Sequence, residues 1–263
     1  MTKRSPGRPG GCRCSVTVPR SVAGEEQEGG DAQYFAPRPS VRSERRERRF
    51  LYRGELLSFV VDRGVFASRD LDPGTALLIE HLGVRPADRV LDVGCGWGAV
   101  GIAAAKVDPA VRVVLTDVNH RALRLARENI ARNGIHNAET RLGSLFDPVG
   151  SERFDLIATN PPYRAGRPLV LDLLREAPAH LTPDGRFLMV GKGSQGVRFY
   201  QQWLTEHWPG PVTVVARRSG YRVLVAQVGR TPPVNRSVRS PPERSSDRRE
   251  AAHPVAKPRA PRE

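Results

Sequence analysis

The strongest constraint on the fold is a regular alternation of short apolar runs and longer helical patterns across residues 88–208. Five runs are typical of buried strands: "DRVLDVG", "VRVVLTDV", "AETRLGSL", "FDLIATN" and "GRFLMVG". The helical patterns are "WGAVGIAAAKV", "HRALRLARENIARNG", "PLVLDLLREAPAHL" and "SQGVRFYQQWLTEHW". Strands that alternate with helices predict an α/β fold, in which a mostly parallel sheet carries helices on both faces.

Two hairpins frame this alternating region. "FLYRGELLSFVVDRGVF" has two apolar runs around Arg53-Gly54-Glu55, which predicts an N-terminal hairpin at about residues 49–62. "PVTVVARRSGYRVLVAQV" predicts a C-terminal antiparallel hairpin and brings the expected sheet to seven strands. Before the first strand of the sheet, "LDPGTALLIEHLG" predicts a helix with Pro73 in its first turn and Gly83 as its stop.

Composition divides the chain into three parts. Residues 1–43 form a basic segment rich in Gly and Pro, and residues 230–263 form a basic tail rich in Pro and Arg. Both have too little apolar surface to offset their ordering entropy, so we expect them to be disordered. Residues 44–229 are the expected folded domain. The net charge of +14 suits a polyanionic partner such as nucleic acid.

Other features argue against several classes of protein. Cys12 and Cys14 have no second Cys/His pair to complete a zinc site, so we expect no metal, and three cysteines do not support a disulfide framework. No apolar run reaches the roughly 18 residues of a membrane span, and the N-terminus lacks the apolar core of a secretory signal. We therefore expect a soluble, cytoplasmic protein with no membrane partner.

Polar and glycine-rich segments follow four of the predicted strands. These are Gly94–Gly98 after the first strand, Asp117 after the second, Ser144 after the third and Asn160–Tyr163 after the fourth. In parallel sheets, ligands bind outside the carboxyl ends of the strands, near the point where the strand order reverses. The sequence therefore predicts that these four segments converge on one binding site.

The glycine loop "LDVGCGWGAVG" indicates a nucleotide cofactor. Gly96–Gly101 matches the GxGxxG dinucleotide pattern, although a tight turn from strand to helix would need similar glycines. Asp117, at the end of the next strand, is placed for two ribose hydroxyls. Asp92 distinguishes the cofactors, because a carboxylate beside the loop suits a cationic ligand such as S-adenosylmethionine better than a pyrophosphate.

With these motifs the chain resembles the class I S-adenosylmethionine-dependent methyltransferases, which are Rossmann-like, and in particular the methyltransferase small domain family. The resemblance runs from about residue 64 to 228 and includes "VLDVGCGWGAVGIAAA", "FDLIATNPPYRAG" and "GKGSQGVRFY". It implies that the cofactor contacts are Asp92, Gly94, Gly96, Gly98 and Asp117. The family usually has an acidic residue after the third strand. Here Ser144 stands at that place and offers a hydroxyl to the adenine amino group, with Asp147 as a partial substitute.

The tetrapeptide Asn160–Tyr163, "NPPY", is suited to methylating an amino nitrogen. The lone pair of such a nitrogen is delocalised, so a site helps by accepting hydrogen bonds from both of its hydrogens. Asn160 offers a side-chain carbonyl, and Pro161 a backbone carbonyl whose direction Pro162 helps to fix. Tyr163 offers a flat face for a base. We therefore predict that the catalytic residues are Asn160, Pro161, Pro162 and Tyr163.

The resemblance includes ribosomal-RNA guanine-N2 methyltransferases and stand-alone relatives, so the first hypothesis is methylation of guanine N2 in RNA, with rRNA as the partner. Methylation of DNA adenine or of a protein glutamine is the alternative, because similar tetrapeptides act on all three. A non-catalytic RNA-binding protein and an NAD oxidoreductase are further alternatives, which the intact motifs disfavour. Lys192 and the "ERRERR" run at residues 44–49 are each either phosphate contacts or solvated surface.

Overall fold

The computed structural model describes residues 40–67 and 70–229. The predicted terminal segments, 1–43 and 230–263, lie almost entirely outside these residues, as do Cys12 and Cys14. The strands are β1 (Arg46–Tyr52), β2 (Glu55–Val61), β3 (Arg89–Val93), β4 (Arg112–Asp117), β5 (Ala138–Leu142), β6 (Phe154–Thr159), β7 (Leu181–Lys192), β8 (Val212–Arg218) and β9 (Tyr221–Gln227). The helices are α1 (Pro73–Glu80), α2 (Ala99–Ala105), α3 (His120–Arg132), α4 (Arg167–Glu176) and α5 (Val197–His207).

Seven strands form one sheet in the order β5-β4-β3-β6-β7-β9-β8. The first five of these run parallel, and β9 runs antiparallel to both β7 and β8. The predicted Rossmann-like fold with its C-terminal antiparallel hairpin is therefore confirmed. The order reverses between β3 and β6, which places the glycine loop next to the Asn160–Tyr163 loop at the switch point. Asp92 pairs with Ala158 across these two strands.

Alternate strand residues enter two separate cores, one on each face of the sheet. On β3, Val90 packs into the core beneath α1, α2 and α3, while Leu91 and Val93 pack into the core beneath α4 and α5. On β4, Val113 and Val114 divide in the same way. This period of two confirms that helices cover both faces, as the alternating sequence pattern predicts.

The hairpin β1–β2 is a separate two-stranded sheet that docks on α3 through two asparagine side chains. Asn129 accepts from the Val60 amide at 2.7 Å and donates to the Val60 carbonyl at 3.0 Å. Asn133 makes the matching pair with Ser58 at 2.9 and 2.8 Å. Four helical residues rise about 6 Å and two strand residues about 6.6 Å, so the two spacings match. The hairpin is thus joined to the domain by side chains that replace a neighbouring strand.

Neither a membrane-spanning helix nor a metal-binding cluster is found in the described part of the chain. No helix within residues 40–67 and 70–229 is long and apolar enough to cross a membrane. The same residues contain no group of three or more His, Cys, Asp or Glu side chains placed to hold a metal ion.

Candidate active site

An open cavity of about 720 Å³ lies at the carboxyl edge of the sheet. Nine of the ten predicted site residues line it: Asp92, Gly94, Gly96, Asp117, Ser144, Asn160, Pro161, Pro162 and Tyr163. They come from the ends of four different strands, β3 to β6, which meet here because the strands are parallel. The convergence expected from the sequence is therefore present in the structure, while the binding role of each residue stays a prediction.

Gly98 is the predicted residue that the structure places elsewhere. It precedes α2 with φ of 93°, a left-handed conformation that favours glycine. A Cβ at this position would lie 3.3 Å from Ile102 and 3.4 Å from Leu115 and Ala126. Gly98 therefore serves the close packing of α2 and α3 against the sheet and does not line the cavity.

Asp92 is a buried carboxylate that holds the glycine loop against α2. Its Oδ2 accepts a hydrogen bond from the Gly101 amide at 2.8 Å. The pKa of Asp92 is raised from 3.8 to about 7, mainly by burial; the Gly101 hydrogen bond acts to lower it, and the nearby charge of Asp117 adds to the rise. Because burial in a low-dielectric site destabilises an uncompensated carboxylate, a cation in the cavity would favour the ionised form.

Asp117 holds the opposite side of the same loop. Its Oδ2 accepts from the Gly96 amide and its Oδ1 from the Asn119 amide, both at 2.8 Å. Burial raises the pKa of Asp117, although these backbone hydrogen bonds act in the other direction. The carboxylate is thus fixed in place at the cavity wall before any ligand binds.

The backbone amides of the glycine loop are largely used within the protein. Gly94 and Cys95 both donate to the Thr116 carbonyl at 2.9 Å, and Gly98 donates to the Cys95 carbonyl at 2.9 Å. The Gly96 and Gly101 amides donate to the two carboxylates described above. A pyrophosphate needs free amides and no nearby negative charge. The loop therefore suits a ligand with a positive charge better than a dinucleotide.

Ser144 is exposed and lines the cavity. Asp147, considered as a partial substitute, lies in a short 3-10 turn, is exposed and is not among the lining residues. The loop after β5 therefore contributes a neutral hydroxyl residue, Ser144, to the cavity lining, and Asp147 is not part of that lining.

Asn160 has a fixed amide orientation. Its Nδ2 donates to Thr75 Oγ1 at 3.0 Å and to Asp72 Oδ2 at 3.3 Å. Within the described residues, 40–67 and 70–229, no group donates to its Oδ1. Since Asn160 lines the cavity, this arrangement leaves its side-chain carbonyl for a ligand, which is the role predicted for it.

Pro162 is the central residue of an inverse γ-turn, with φ of −76° and ψ of 66°. The turn is closed by the Tyr163 amide, which donates to the Pro161 carbonyl at 2.8 Å. A carbonyl oxygen has two lone pairs, so the Pro161 carbonyl keeps one for a substrate hydrogen. The two prolines also contribute no N–H groups that would compete for this oxygen.

Tyr163 is anchored by its hydroxyl, which donates to the Val190 carbonyl at 2.6 Å. A Cβ on Gly191 would lie 2.3 Å from this hydroxyl oxygen, so β7 needs glycine there. Burial raises the pKa of Tyr163 well above its usual range, which keeps the phenol neutral. The ring therefore forms a rigid wall of the cavity, as a surface for stacking requires.

The sequence analysis missed the residues that orient Asn160. Asp72 caps α1 by accepting from the Thr75 amide at 2.8 Å, and the Tyr221 hydroxyl donates to its Oδ1 at 3.2 Å. Asp72 before Pro73 is a recognisable helix start, so the cap itself has a local signal. The hydrogen bond that Asp72 accepts from Asn160, 88 residues later in the sequence, has no local sequence signal.

Trp97, in the glycine loop, faces the hairpin. Its Nε1 donates to the Phe66 carbonyl at 3.1 Å, and its ring meets Phe59 edge to face at 4.9 Å. Phe59 in turn stacks on Phe50 at 4.8 Å. The indole therefore links the hairpin to the loop and to the segment around Phe66, which borders the cavity.

Comparison with known proteins assigns the chain to a family. The methyltransferase small domain family matches residues 56–225. The chain is 34% identical over 196 residues to the uncharacterized protein YbxB of Bacillus subtilis, covering 74% of this chain and 97% of that protein. It is 37% identical over 172 residues to Ribosomal RNA small subunit methyltransferase C of Pseudomonas fluorescens, covering 63% of this chain and 49% of that protein. The chain thus spans about half the length of the latter relative.

Solved structures share the fold. The 16S rRNA N2 G1207 methyltransferase (RsmC) of T. thermophilus, in complex with AdoMet and guanosine, aligns with a TM-score of 0.61 at 24% identity, covering 81% of this chain and 57% of that chain. Ribosomal protein L11 methylase of Lactobacillus delbrueckii subsp. bulgaricus aligns with a TM-score of 0.50 at 30% identity, covering 60% of this chain and 83% of that chain. Because the family match extends over more than half of the sequence, the chain belongs to the methyltransferase small domain family of class I S-adenosylmethionine-dependent methyltransferases.

Proposed function

We propose that the protein transfers the methyl group of S-adenosylmethionine to the exocyclic N2 amino group of guanine in RNA, with ribosomal RNA as the substrate. One observation carries the proposal. Thr75 and Asp72 accept from the Asn160 side-chain nitrogen, which leaves the side-chain carbonyl for a ligand, and Asn160 and the adjacent Pro161 both line the cavity. Two acceptors next to each other match the two hydrogens of an amino group.

The cofactor side of the cavity fits S-adenosylmethionine. When bound, S-adenosylmethionine supplies a methyl group activated by a sulfonium cation. Asp117 accepts hydrogen bonds from the ribose hydroxyls, and the Ser144 hydroxyl accepts from the adenine amino group. The buried Asp92 carboxylate favours the cationic end, because a positive charge stabilises its ionised form.

On the substrate side, the loop positions the nitrogen. Asn160 and Pro161 accept its two hydrogens and turn its lone pair toward the methyl group, while the Tyr163 ring stacks against the base. Stacking of this kind is worth roughly 1–3 kcal/mol per base. Positioning accounts for most of the rate. As the carbon–sulfur bond breaks, S-adenosylhomocysteine leaves as a neutral thioether, and the methylated nitrogen, which is cationic and therefore acidic, releases one proton to water without a strong base. A guanine in a duplex has to be flipped out to reach this loop.

The relatives support RNA as the substrate. Relatives from Pseudomonas fluorescens and Escherichia coli that share 33–37% identity with this chain are named for ribosomal RNA of the small subunit, whereas YbxB, at 34% identity, is uncharacterized. A protein substrate is the second candidate, favoured by the 30% identity with a ribosomal protein L11 methylase. The net charge of +14 suits either RNA or an RNA-bound protein, so the distinction needs an experiment.

The experiment is methyl transfer from radiolabelled S-adenosylmethionine to total RNA, DNA and protein from cells that lack this protein, whose target sites are unmethylated. The expected result is label in N2-methylguanosine after digestion of the RNA to nucleosides. Asn160→Ala serves as the control that binds cofactor but does not transfer methyl. Label in protein or DNA alone would overturn the proposed substrate, and full activity of Asn160→Ala would overturn the proposed role of the loop.

A further inference from the structure

A chain of aromatic contacts leads from the proposed catalytic loop to the protein surface. The Tyr163 ring lies 5.7 Å from Tyr200, and the Tyr200 ring meets Phe199 edge to face at 5.3 Å. Phe199 is 38% exposed, and the Arg167 guanidinium lies 4.5 Å from its ring centroid. A flat cationic and aromatic surface therefore stands two ring contacts away from the place proposed for the target base.

Exposed cations surround this pair at the carboxyl edge of the sheet. Arg167 begins α4, Arg198 lies in the first turn of α5, and Lys192 ends β7. In the described part of the chain, no carboxylate forms an ion pair with any of the three. We name this surface, formed by Arg167, Lys192, Arg198 and Phe199, the α4–α5 rim.

The basic run on the hairpin differs, because most of its arginines face a carboxylate. In residues 44–49 and the neighbouring α3, arginines pair with glutamates: Arg45 with Glu128, Arg46 with Glu44, Arg49 with Glu47, and Arg132 with Glu47. A cation that already faces a carboxylate releases fewer counterions on binding a phosphate. The two basic surfaces therefore differ in their attraction for a polyanion, although both are rich in arginine.

We propose that the α4–α5 rim binds the single-stranded RNA that flanks the target nucleotide, with one unpaired base stacked on the Arg167–Phe199 pair. This inference rests on the proposed function, since it takes RNA as the substrate. Bases of single-stranded RNA stack on aromatic rings and on arginine guanidinium planes, and cations next to the rings hold the phosphates. The α4–α5 rim combines an aromatic ring with exposed cations. Its Phe199 ring contacts Tyr200, which packs on Tyr163.

The test measures binding of a fluorescent, unstructured RNA of about 12 nucleotides as a function of salt concentration. Arg167→Ala/Arg198→Ala removes two charges from the rim, and Arg46→Ala/Arg49→Ala removes two from the hairpin as the matched control. Each single-strand phosphate contact contributes about 0.7 to the magnitude of the slope of log affinity against log salt. The slope measured for the rim variant should therefore be smaller in magnitude by about 1.4. The hairpin variant should keep the wild-type slope.

Phe199→Leu tests the stacking surface separately, because leucine keeps the apolar volume and removes the ring. Its affinity for the RNA should fall about 5- to 150-fold with little change in the salt slope. Calorimetry with S-adenosylmethionine should show unchanged binding in all three variants, which demonstrates that they are folded. Equal effects of the rim and hairpin variants, or an unchanged affinity of Phe199→Leu, would overturn the inference.

The outcomes separate this inference from the proposed function. If the wild-type protein makes N2-methylguanosine but the rim variants bind RNA as the hairpin variant does, only the rim is wrong. If the wild-type protein labels protein or DNA alone and does not bind the RNA, both proposals fail.

Discussion

The side-chain nitrogen of Asn160 lies 3.0 Å from the hydroxyl oxygen of Thr75, and this contact ties the loop after β6 to the first turn of α1. Asp72 Oδ2 accepts from Asn160 as well as from the Thr75 amide and hydroxyl. The cap of one helix thus determines which way the amide of another segment faces. The acceptor that the proposed reaction needs is therefore set by residues outside the NPPY tetrapeptide.

Thr75→Ala should lower the rate of methyl transfer while leaving cofactor affinity unchanged. The substitution removes one acceptor from the Asn160 amide, and a neutral hydrogen bond is worth about 0.5–1.5 kcal/mol, so kcat should fall about 2- to 10-fold. Thr75→Ser keeps the hydroxyl and should stay close to the wild type. The measurement is steady-state kinetics of both variants, and equal kcat values would show that Thr75 does not position Asn160.

Asp117→Ala should weaken S-adenosylmethionine binding, because it removes the carboxylate proposed for the ribose hydroxyls. Hydrogen bonds to charged groups contribute about 1.5–3 kcal/mol, so affinity in calorimetry should fall about 10- to 150-fold. Asp147→Ala is the matched control, since Asp147 is an exposed acid of the neighbouring loop that does not line the cavity. Tight binding of NAD by the wild-type protein would contradict the cofactor assignment.

Asp92 should make stability decrease as the pH rises toward neutrality. Burial raises its pKa from 3.8 to about 7, so between these values the folded protein holds a proton that the unfolded chain has released. The stability that this proton contributes is fully present below the unfolded pKa and is lost as the pH rises through the folded pKa. Asp92→Asn cannot ionise, so its stability relative to the wild type should increase from about pH 5 to about pH 8. Urea unfolding at both pH values measures this difference, and a constant difference would contradict it.

Gly191→Ala should displace Tyr163, since its Cβ would lie 2.3 Å from the Tyr163 hydroxyl oxygen. Overpacking of this kind costs about 1–3 kcal/mol, and the methyl-transfer rate should fall with it. Gly193→Ala, two residues further on, is the control, because the nearest atom to its Cβ would be 4.0 Å away. Thermal unfolding and methyl transfer of the two variants give the comparison, and identical behaviour would mean that Tyr163 is not held as described.

The sheet and the location of the site were predictable because their signals are local. Apolar runs and helical periods mark the strands and helices, and the carboxyl ends of parallel strands meet at one edge whatever the details of packing. The boundaries of the N-terminal hairpin were also close, although β1 begins at Arg46 and the prediction began at about residue 49.

The roles of Asn129 and Gly98 were not predicted, because they depend on contacts between segments that are far apart in the sequence. Asn129 is a buried residue of α3, and nothing local in the sequence indicates that it binds Val60, 69 residues earlier. Gly98 matches the cofactor motif, but a glycine needed for helix packing and a glycine needed for ligand contact look alike in sequence. Three-dimensional contacts alone separate the two roles.

The docking of the hairpin has a consequence for how the protein can diverge. The groups of β2 that Asn129 and Asn133 bind are all main-chain groups, and every residue except proline can offer both of them. Much of the hairpin sequence can therefore change, or be exchanged for that of another hairpin, while its placement over the domain persists. The inward-facing rings of Phe50 and Phe59 limit this freedom, because they carry the contact to Trp97. The segment behaves as a replaceable module with a constant attachment.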